Sequence, residues 1–180
     1  VSLQYRYKAI YQDAIASAKV QAALGSIKTI SIQEHRPPFL DKVGQWNKFS
    51  EYSGGTLVEK CCHYFDLFNY FAEAQPVEVY AAGGMDVNFK DFSYEGRNSD
   101  ILDNAFVTVK YENGVKAMFS LCMFAPLFYE EITMCGDTGR LHASEQEDFI
   151  TGQSLKTRFQ FNSAGSLPSK TAEPHYPAVI

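Results

Sequence analysis

The chain has 180 residues, 46% of them apolar and 21% charged. That is enough for one domain with a real core and too few for two, and it is the composition of neither a disordered tail nor a fibre. Lys and Arg total 16 against 21 Asp and Glu, leaving a formal charge of -5 with no basic run, which argues against nucleic acid as a partner. No apolar stretch approaches the roughly 18 residues of a membrane helix, and the first seven residues lack the charged and apolar regions of a signal peptide.

In chain order, Ser2 to Tyr7 alternates like a short strand, and Ile10, Ala14 and Ala18 repeat at helical spacing until Gly25 offers a left-handed stop. Ile27 to Arg36 returns to a period of two, with Ile30 and Ile32 facing one way and Ser31 and Gln33 the other. Pro37-Pro38 then predicts a loop, which carries Trp46 as far as Ser53-Gly54-Gly55, and a long helical pattern follows from about Thr56 to Ala72. After Pro76, Val77, Val79 and Ala81 alternate. A loop over Phe89 to Asp103 leads to two alternating runs, Ala105 to Tyr111 and Val115 to Met123, whose Asn113-Gly114 junction is a strong hairpin signal. A second pair, Glu130 to Cys135 and Arg140 to Ala143, is joined by Gly136-Asp137-Thr138-Gly139. The stretch from Ser163 on is rich in Ser and Pro and reads as a surface tail, set at 161–180.

Hairpins behind a helix-rich first third predict an α+β fold, a mainly antiparallel open sheet with helices packed on one face. Both faces of the Asn113-Gly114 hairpin carry bulky residues. Phe106, Met118, Cys122 and Phe124 alternate with the set headed by Ala105 and Val107, so something is expected to cover the second face, and a second subunit is one candidate. The four cysteines have no bridging spacing. They read as buried small hydrophobes in a reduced compartment, and zinc is not expected.

Ionisable residues concentrate on the predicted helix. Leu57, Cys61, Phe65, Phe68 and Ala72 share one side, and the narrow stripe opposite carries Glu59, His63, Asp66 and Tyr70 at i, i+4, i+7 and i+11. Three readings fit this pattern. It is a solvated face, or a proton-transfer site in which a carboxylate orients an imidazole one turn on, or a metal site with at most three ligands and no second histidine nearby. His35-Arg36, at the end of a strand, could reach an anionic or hydroxylated ligand or form a rim ion pair, and Arg6 and Lys8 carry the same two readings. There is no G-x-S-x-G, Walker loop or G-x-G-x-x-G.

The run Gly54-Gly55-Thr56-Leu57-Val58-Glu59-Lys60-Cys61-Cys62-His63-Tyr64-Phe65-Asp66, with Trp46 before it and Pro76-Val77-Glu78-Val79 after it, resembles the second domain of the Gfo/Idh/MocA oxidoreductases. That family includes the glucose-fructose oxidoreductases and inositol dehydrogenases. Leu3 to Tyr7, Leu24 to Ile27 and Gly136 to Leu141 match in the same order, so the resemblance runs from about residue 2 to 145.

The resemblance implies an NAD(P)-dependent oxidoreductase acting on a sugar or cyclitol hydroxyl, with His63 as acid/base and Glu59 in the place of the family's aspartate. Asp66 stands as structural support, and Arg36, Tyr70 and Trp46 as substrate contacts. It further implies a small polyhydroxylated substrate, a homodimer or tetramer formed through the sheet face, and a cytoplasmic location. The family's Rossmann domain, with its glycine turn and Glu-Lys-Pro lysine, has no counterpart in the 180 residues, and Lys60, near the margin of the apolar arc, is not that lysine. The expectation is that residues 1–160 are the C-terminal substrate and oligomerisation domain of such an enzyme, unable alone to complete a nicotinamide site. A non-catalytic oligomerisation or sugar-binding module is the alternative.

Overall fold

A computed structural model describes residues 2–20, 22–148, 153–163 and 171–172. A 3-10 turn, Gln4–Tyr7, leads into α1, Ala9–Ile15, which continues through one π-helical stretch, Ala16–Val20. Strand β1 is Ile27–His35. A 3-10 segment, Val43–Lys48, precedes α2, Ser50–Ser53, then α3, Thr56–Glu59, and α4, Cys62–Ala72. The remaining strands are β2 Pro76–Gly84, β3 Ser93–Tyr94, β4 Arg97–Asn98, β5 Asn104–Tyr111, β6 Lys116–Cys122, β7 Phe128–Gly136, β8 Gly139–Asp148, β9 Gln153–Ser163 and β10 Thr171–Ala172. Of the tail expected over 161–180, only the end of β9 and the two residues of β10 lie among the described residues.

Eight strands form one open sheet in the order β10-β9-β8-β7-β1-β6-β5-β2. All pairs in it are antiparallel except β1 with β6. This is the predicted α+β architecture, helices on one face, and the alternation of buried residues shows which face. Ile30 and Ile32 of β1 sit opposite Ala117 and Phe119 on one side and Met134 and Ile132 on the other. All six are buried against α1 and α4. Leu141 and Ala143 of β8, with Ala105, Val107 and Val109 of β5, extend the same buried face. Burying several large apolar side chains at roughly 1.5–3 kcal/mol each is what holds the helices on the sheet.

The hairpin at Asn113-Gly114 forms as predicted. Only Gly114 of the two has a positive φ, +85°, and Gly114 N donates to Tyr111 O at 2.9 Å, the geometry of a turn closed by a left-handed glycine. Pro76 heads β2, which is an edge strand, the position where a missing N–H is tolerated. Gly136 must be glycine for another reason: a Cβ there would lie 2.0 Å from Leu24 O. The chain leaving α1 is thereby pressed against the β7–β8 turn, and Asp137 Oδ1 accepts from Ser26 N at 3.0 Å.

Three local expectations are corrected. Ser2 to Tyr7 is not a strand; the segment turns as 3-10 because Tyr5 buries itself between Tyr11, His63 and Tyr64 and has no strand to pair with. The long helix over Thr56 to Ala72 is two helices broken at Lys60-Cys61, where Cys61 N reaches back to Thr56 O at 3.3 Å. All four cysteines are free thiols, but only Cys61 is buried; Cys62, Cys122 and Cys135 are half-buried.

Candidate active site

The stripe on α4 is covered. Arg6 folds over it and donates from Nε to Asp66 Oδ2 at 2.7 Å and from Nη2 to Asp66 Oδ1 at 2.6 Å, a bidentate pair. The same guanidinium lies 4.6 Å above the Tyr70 ring. Tyr5 lays its ring on His63, centroids 4.7 Å apart and planes 25° apart. The 3-10 turn that replaces the predicted strand is what carries Tyr5 and Arg6 across the helix. The solvated-face reading is therefore corrected: Glu59, His63, Asp66 and Tyr70 are all at least half-buried.

The break at Lys60-Cys61 changes the relation of Glu59 to His63. They no longer share one helix, and neither Glu59 Oε2 nor His63 Nδ1 has a hydrogen-bond partner among the described residues, though both atoms are buried. The ring as a whole is half-buried, so part of it meets solvent. Burial and the Lys60 ammonium hold the imidazole below its ordinary pKa of 6.5, against the opposing pull of Glu59, Asp66 and Glu130. The ring is consequently neutral at pH 7 and able to accept a proton.

Behind Tyr5 lies a group that no motif in the sequence singles out. Glu34 of β1, Glu130 of β7 and Glu145 of β8 stand in register, Glu34 opposite Glu130 and Glu130 opposite Glu145, and each is 0–1% exposed on the helix-covered face. Three charges balance them. Lys8 pairs with both Glu130 and Glu145, Lys60 lies 3.2 Å from Glu34 Oε1, and Arg36 lies 3.7 Å from the same oxygen. Glu130 Oε1 also accepts from Tyr64 Oη at 2.7 Å and Tyr11 Oη at 2.9 Å. Lys60 is thus corrected from the margin of an apolar arc to the interior of an ionic cluster. The available signal was alternation: Glu34 continues Ile30 and Ile32, Glu130 precedes Ile132 and Met134, and Glu145 follows Leu141 and Ala143.

The remaining candidates are scattered. Arg36 joins the cluster through Glu34, its Nε donating to Pro37 O at 3.1 Å. Tyr70, about 10 Å along the helix from His63, lines a cavity of about 690 Å³ with Lys19, Lys28 and Glu73. Trp46 lines a separate pocket of about 240 Å³ with Phe49, Tyr52, Tyr94 and Arg97. No group of three or more His, Cys, Asp or Glu side chains able to hold a metal ion occurs among the described residues.

Residues 19–157 match the family model described as the oxidoreductase family, C-terminal alpha/beta domain, of the Gfo/Idh/MocA type. The chain belongs to the Gfo/Idh/MocA oxidoreductases. Among curated relatives it is 26% identical over 87 residues to the putative oxidoreductase YteT of Bacillus subtilis (strain 168), covering 47% of this chain and 20% of that protein. Among solved structures, a putative myo-inositol dehydrogenase from Sinorhizobium meliloti 1021 aligns with a TM-score of 0.64 and 21% identity over 79% of this chain and 40% of that one. The WlbA dehydrogenase from Bordetella pertussis, solved in complex with NADH and UDP-GlcNAcA, aligns with a TM-score of 0.62 and 18% identity over 97% of this chain and 46% of that one. The chain therefore spans between a fifth and about half the length of these Gfo/Idh/MocA relatives. No helix among the described residues is long and apolar enough to cross a membrane.

A dinucleotide does not fit the described residues. Its pyrophosphate needs a strand running through a glycine turn into a helix N-terminus. Here β1 runs into Arg36-Pro37-Pro38, Gly54-Gly55 opens the single-turn α3, and Gly83 lies in β2 with its α-carbon facing Asn104 O.

Proposed function

We propose that this chain is the substrate-binding and proton-transferring part of an NAD(P)-dependent oxidoreductase acting on a sugar or cyclitol hydroxyl. The observation that carries the reading is His63: neutral, half-buried, with Nδ1 buried and unpartnered among the described residues, and under the pull of the Glu59 and Asp66 carboxylates. In this role His63 Nε2 takes the proton of the reacting hydroxyl, and Glu59, one methylene longer than the family's aspartate, stabilises the imidazolium that forms. Asp66 holds Arg6 over the helix and so closes one wall. Arg36 and Trp46 serve as contacts to other hydroxyls, and Tyr70 to the far end of an extended substrate. The oxidant, NAD or NADP, is held by residues other than those described, and the chain's own share is the proton. The complex of the WlbA dehydrogenase with NADH and UDP-GlcNAcA and the cyclitol for which the Sinorhizobium dehydrogenase is named support a small polyhydroxylated substrate. Free thiols at all four cysteines agree with a reducing, cytoplasmic location.

Turnover of nucleotide sugars and inositols by the full-length protein tests the assignment. His63→Ala is expected to lower kcat about 10²–10⁴-fold with the fold intact, the usual size of an acid/base contribution, and Glu59→Gln to lower it less. Wild-type turnover in His63→Ala removes the histidine from the mechanism, whereas binding without turnover of these substrates by the wild-type protein leaves the non-catalytic oligomerisation or sugar-binding module, which the exposed sheet face favours.

A further inference from the structure

His63 rests on a column of side chains that runs away from the substrate side into the sheet. The Tyr5 ring lies on the imidazole, and Tyr5 is itself only 8% exposed. Its hydroxyl accepts a hydrogen bond from Lys60 Nζ, which also stands 4.8 Å above its ring. Lys60 in turn lies 3.2 Å from Glu34, a fully buried residue of the central strand β1. The rest of the Tyr5 ring is enclosed by the edge of Tyr64 at 5.0 Å, by Tyr11 at 5.9 Å and by the Lys8 ammonium at 5.4 Å. A ring pinned at its hydroxyl and packed on its remaining sides offers the imidazole one orientation.

Stability alone does not call for this arrangement. Exchanging a buried ion pair for well-packed apolar side chains is commonly neutral or stabilising, because desolvation offsets the Coulomb gain. An apolar pair at positions 34 and 60 would therefore hold the sheet to the helix as well, and would neither anchor the Tyr5 hydroxyl nor place an ammonium near the imidazole. We propose that Lys60 and Tyr5 are positioning residues for His63: Lys60, fixed by Glu34, anchors the Tyr5 ring, which sets the plane of the imidazole. This rests on the reading of His63 as the proton acceptor. It gives Lys60 an electrostatic share as well, since a nearby ammonium disfavours the imidazolium.

The groups that act on His63 are Tyr5, which stacks on the ring, Glu59 and Lys60 from α3 and the turn, and Asp66 from α4. Glu130 completes the set from the sheet, while Glu34 acts through Lys60. Arg6 is neutralised by Asp66, and Lys8 by Glu130, with Glu145 also against it. Lys60 is paired as well, with Glu34, but it is the cation that stands close enough to act on the imidazole, and removing its charge moves the His63 titration upward.

The test is the NMR titration of the His63 ring in the full-length protein, its resonance identified by its loss in His63→Ala, alongside kcat and KM against pH. Lys60→Met alone strands the Glu34 carboxylate, so the double variant Lys60→Met/Glu34→Gln removes both charges together, and Tyr5→Phe keeps the ring and deletes its anchor. The double variant is expected to raise the His63 titration by roughly half to one pH unit, to carry the acid limb of kcat with it, and to lower kcat about tenfold at constant KM. Tyr5→Phe is expected to lower kcat by a smaller factor, and Lys60→Arg, which restores the charge, to return the titration toward wild type. A His63 titration within about 0.2 pH unit of wild type in the double variant overturns the electrostatic share of Lys60, and wild-type kcat in both Tyr5→Phe and the double variant overturns the positioning role. Wild-type turnover in His63→Ala overturns instead the reading of His63 as the acceptor. The titration needs no turnover, so the two failures are told apart.

Discussion

Glu145 meets Lys8 and Glu130 on the buried face, and its carboxyl titrates unlike either neighbour. Burial pushes it from an ordinary 4.5 up to about 7 against the pull of Lys8, with Glu130 adding repulsion. Glu130 is held below its ordinary range: burial opposes its charge, but Lys8 and the Tyr64 hydroxyl overcome that. The two carboxyls bend the stability curve in opposite directions. Glu145, protonated in the folded state and ionised in the unfolded one between about 4.5 and 7, makes stability fall as pH rises through that window. Glu130 contributes stability that is complete above its unfolded value and is lost as pH falls. Glu145→Gln copies the protonated carboxyl, so it is expected to match wild type near pH 4.5 and to gain about 1–2 kcal/mol, or some 3–6 °C in Tm, at pH 8. Thermal melts at the two pH values check this; an equal change at both sinks the titration argument. The cluster is hard to see in the sequence for a physical reason. Charged residues at core-facing positions of a strand look like interruptions of a pattern until the register sets Glu34, Glu130 and Glu145 side by side with Lys8 and Lys60.

Elements held together by local chemistry are legible in the sequence, and those shaped by distant contacts are not. The β5–β6 hairpin needs only two alternating runs and a glycine free to take a positive φ. The helix over 56–72 looks continuous because period alone cannot register that Lys60 is drawn toward Glu34 on the sheet just where the chain turns, at Lys60-Cys61. The strand expected over Ser2 to Tyr7 is absent for the same reason, since the partners of Tyr5 and Arg6 lie some 60 residues away on α4. One long-range contact joins hairpin and helix directly. Asn113 Nδ2 donates to Ala72 O at 2.8 Å, capping the last turn of α4, while its Oδ1 accepts from Val115 N at 3.2 Å. Asn113→Ala is expected to cost about 1–2 kcal/mol by removing both bonds. Asn113→Asp, which sets a negative charge against the carbonyl end of the helix, should cost at least as much at pH 7. Denaturant unfolding of both variants decides: an aspartate as stable as wild type would show that the cap to Ala72 contributes nothing.

At the scale of the molecule, the helices cover one face of the sheet, and among the described residues nothing covers the other. The bare face carries Phe106, 62% exposed, Met118 at 47% and Phe124 at 40%, all from the set that sequence alternation places opposite the core. Around Met118 the cross-strand row reads Thr133, Ser31, Met118, Thr108, small side chains that keep the surface flat over four strands. Lys110, Lys116 and Arg140 stand at strand ends, and Glu131, two residues from Thr133 on the same face, accepts from the Tyr129 hydroxyl. A flat apolar face of this kind is matched by a second sheet about 10 Å away, and a twofold copy of the same face supplies one without further design. The expected outcome is a dimer that survives in the isolated chain, because no part of this face belongs to the His63 site or to the helices that build it. Light scattering at micromolar concentration should return twice the chain mass. Met118→Glu is expected to return the monomer mass with an unchanged circular dichroism spectrum, since a carboxylate buried without a partner at the centre of the interface costs more than an exposed one on the free monomer. A monomeric wild type refutes the dimer, and a Met118→Glu protein that remains dimeric moves the contact to another surface.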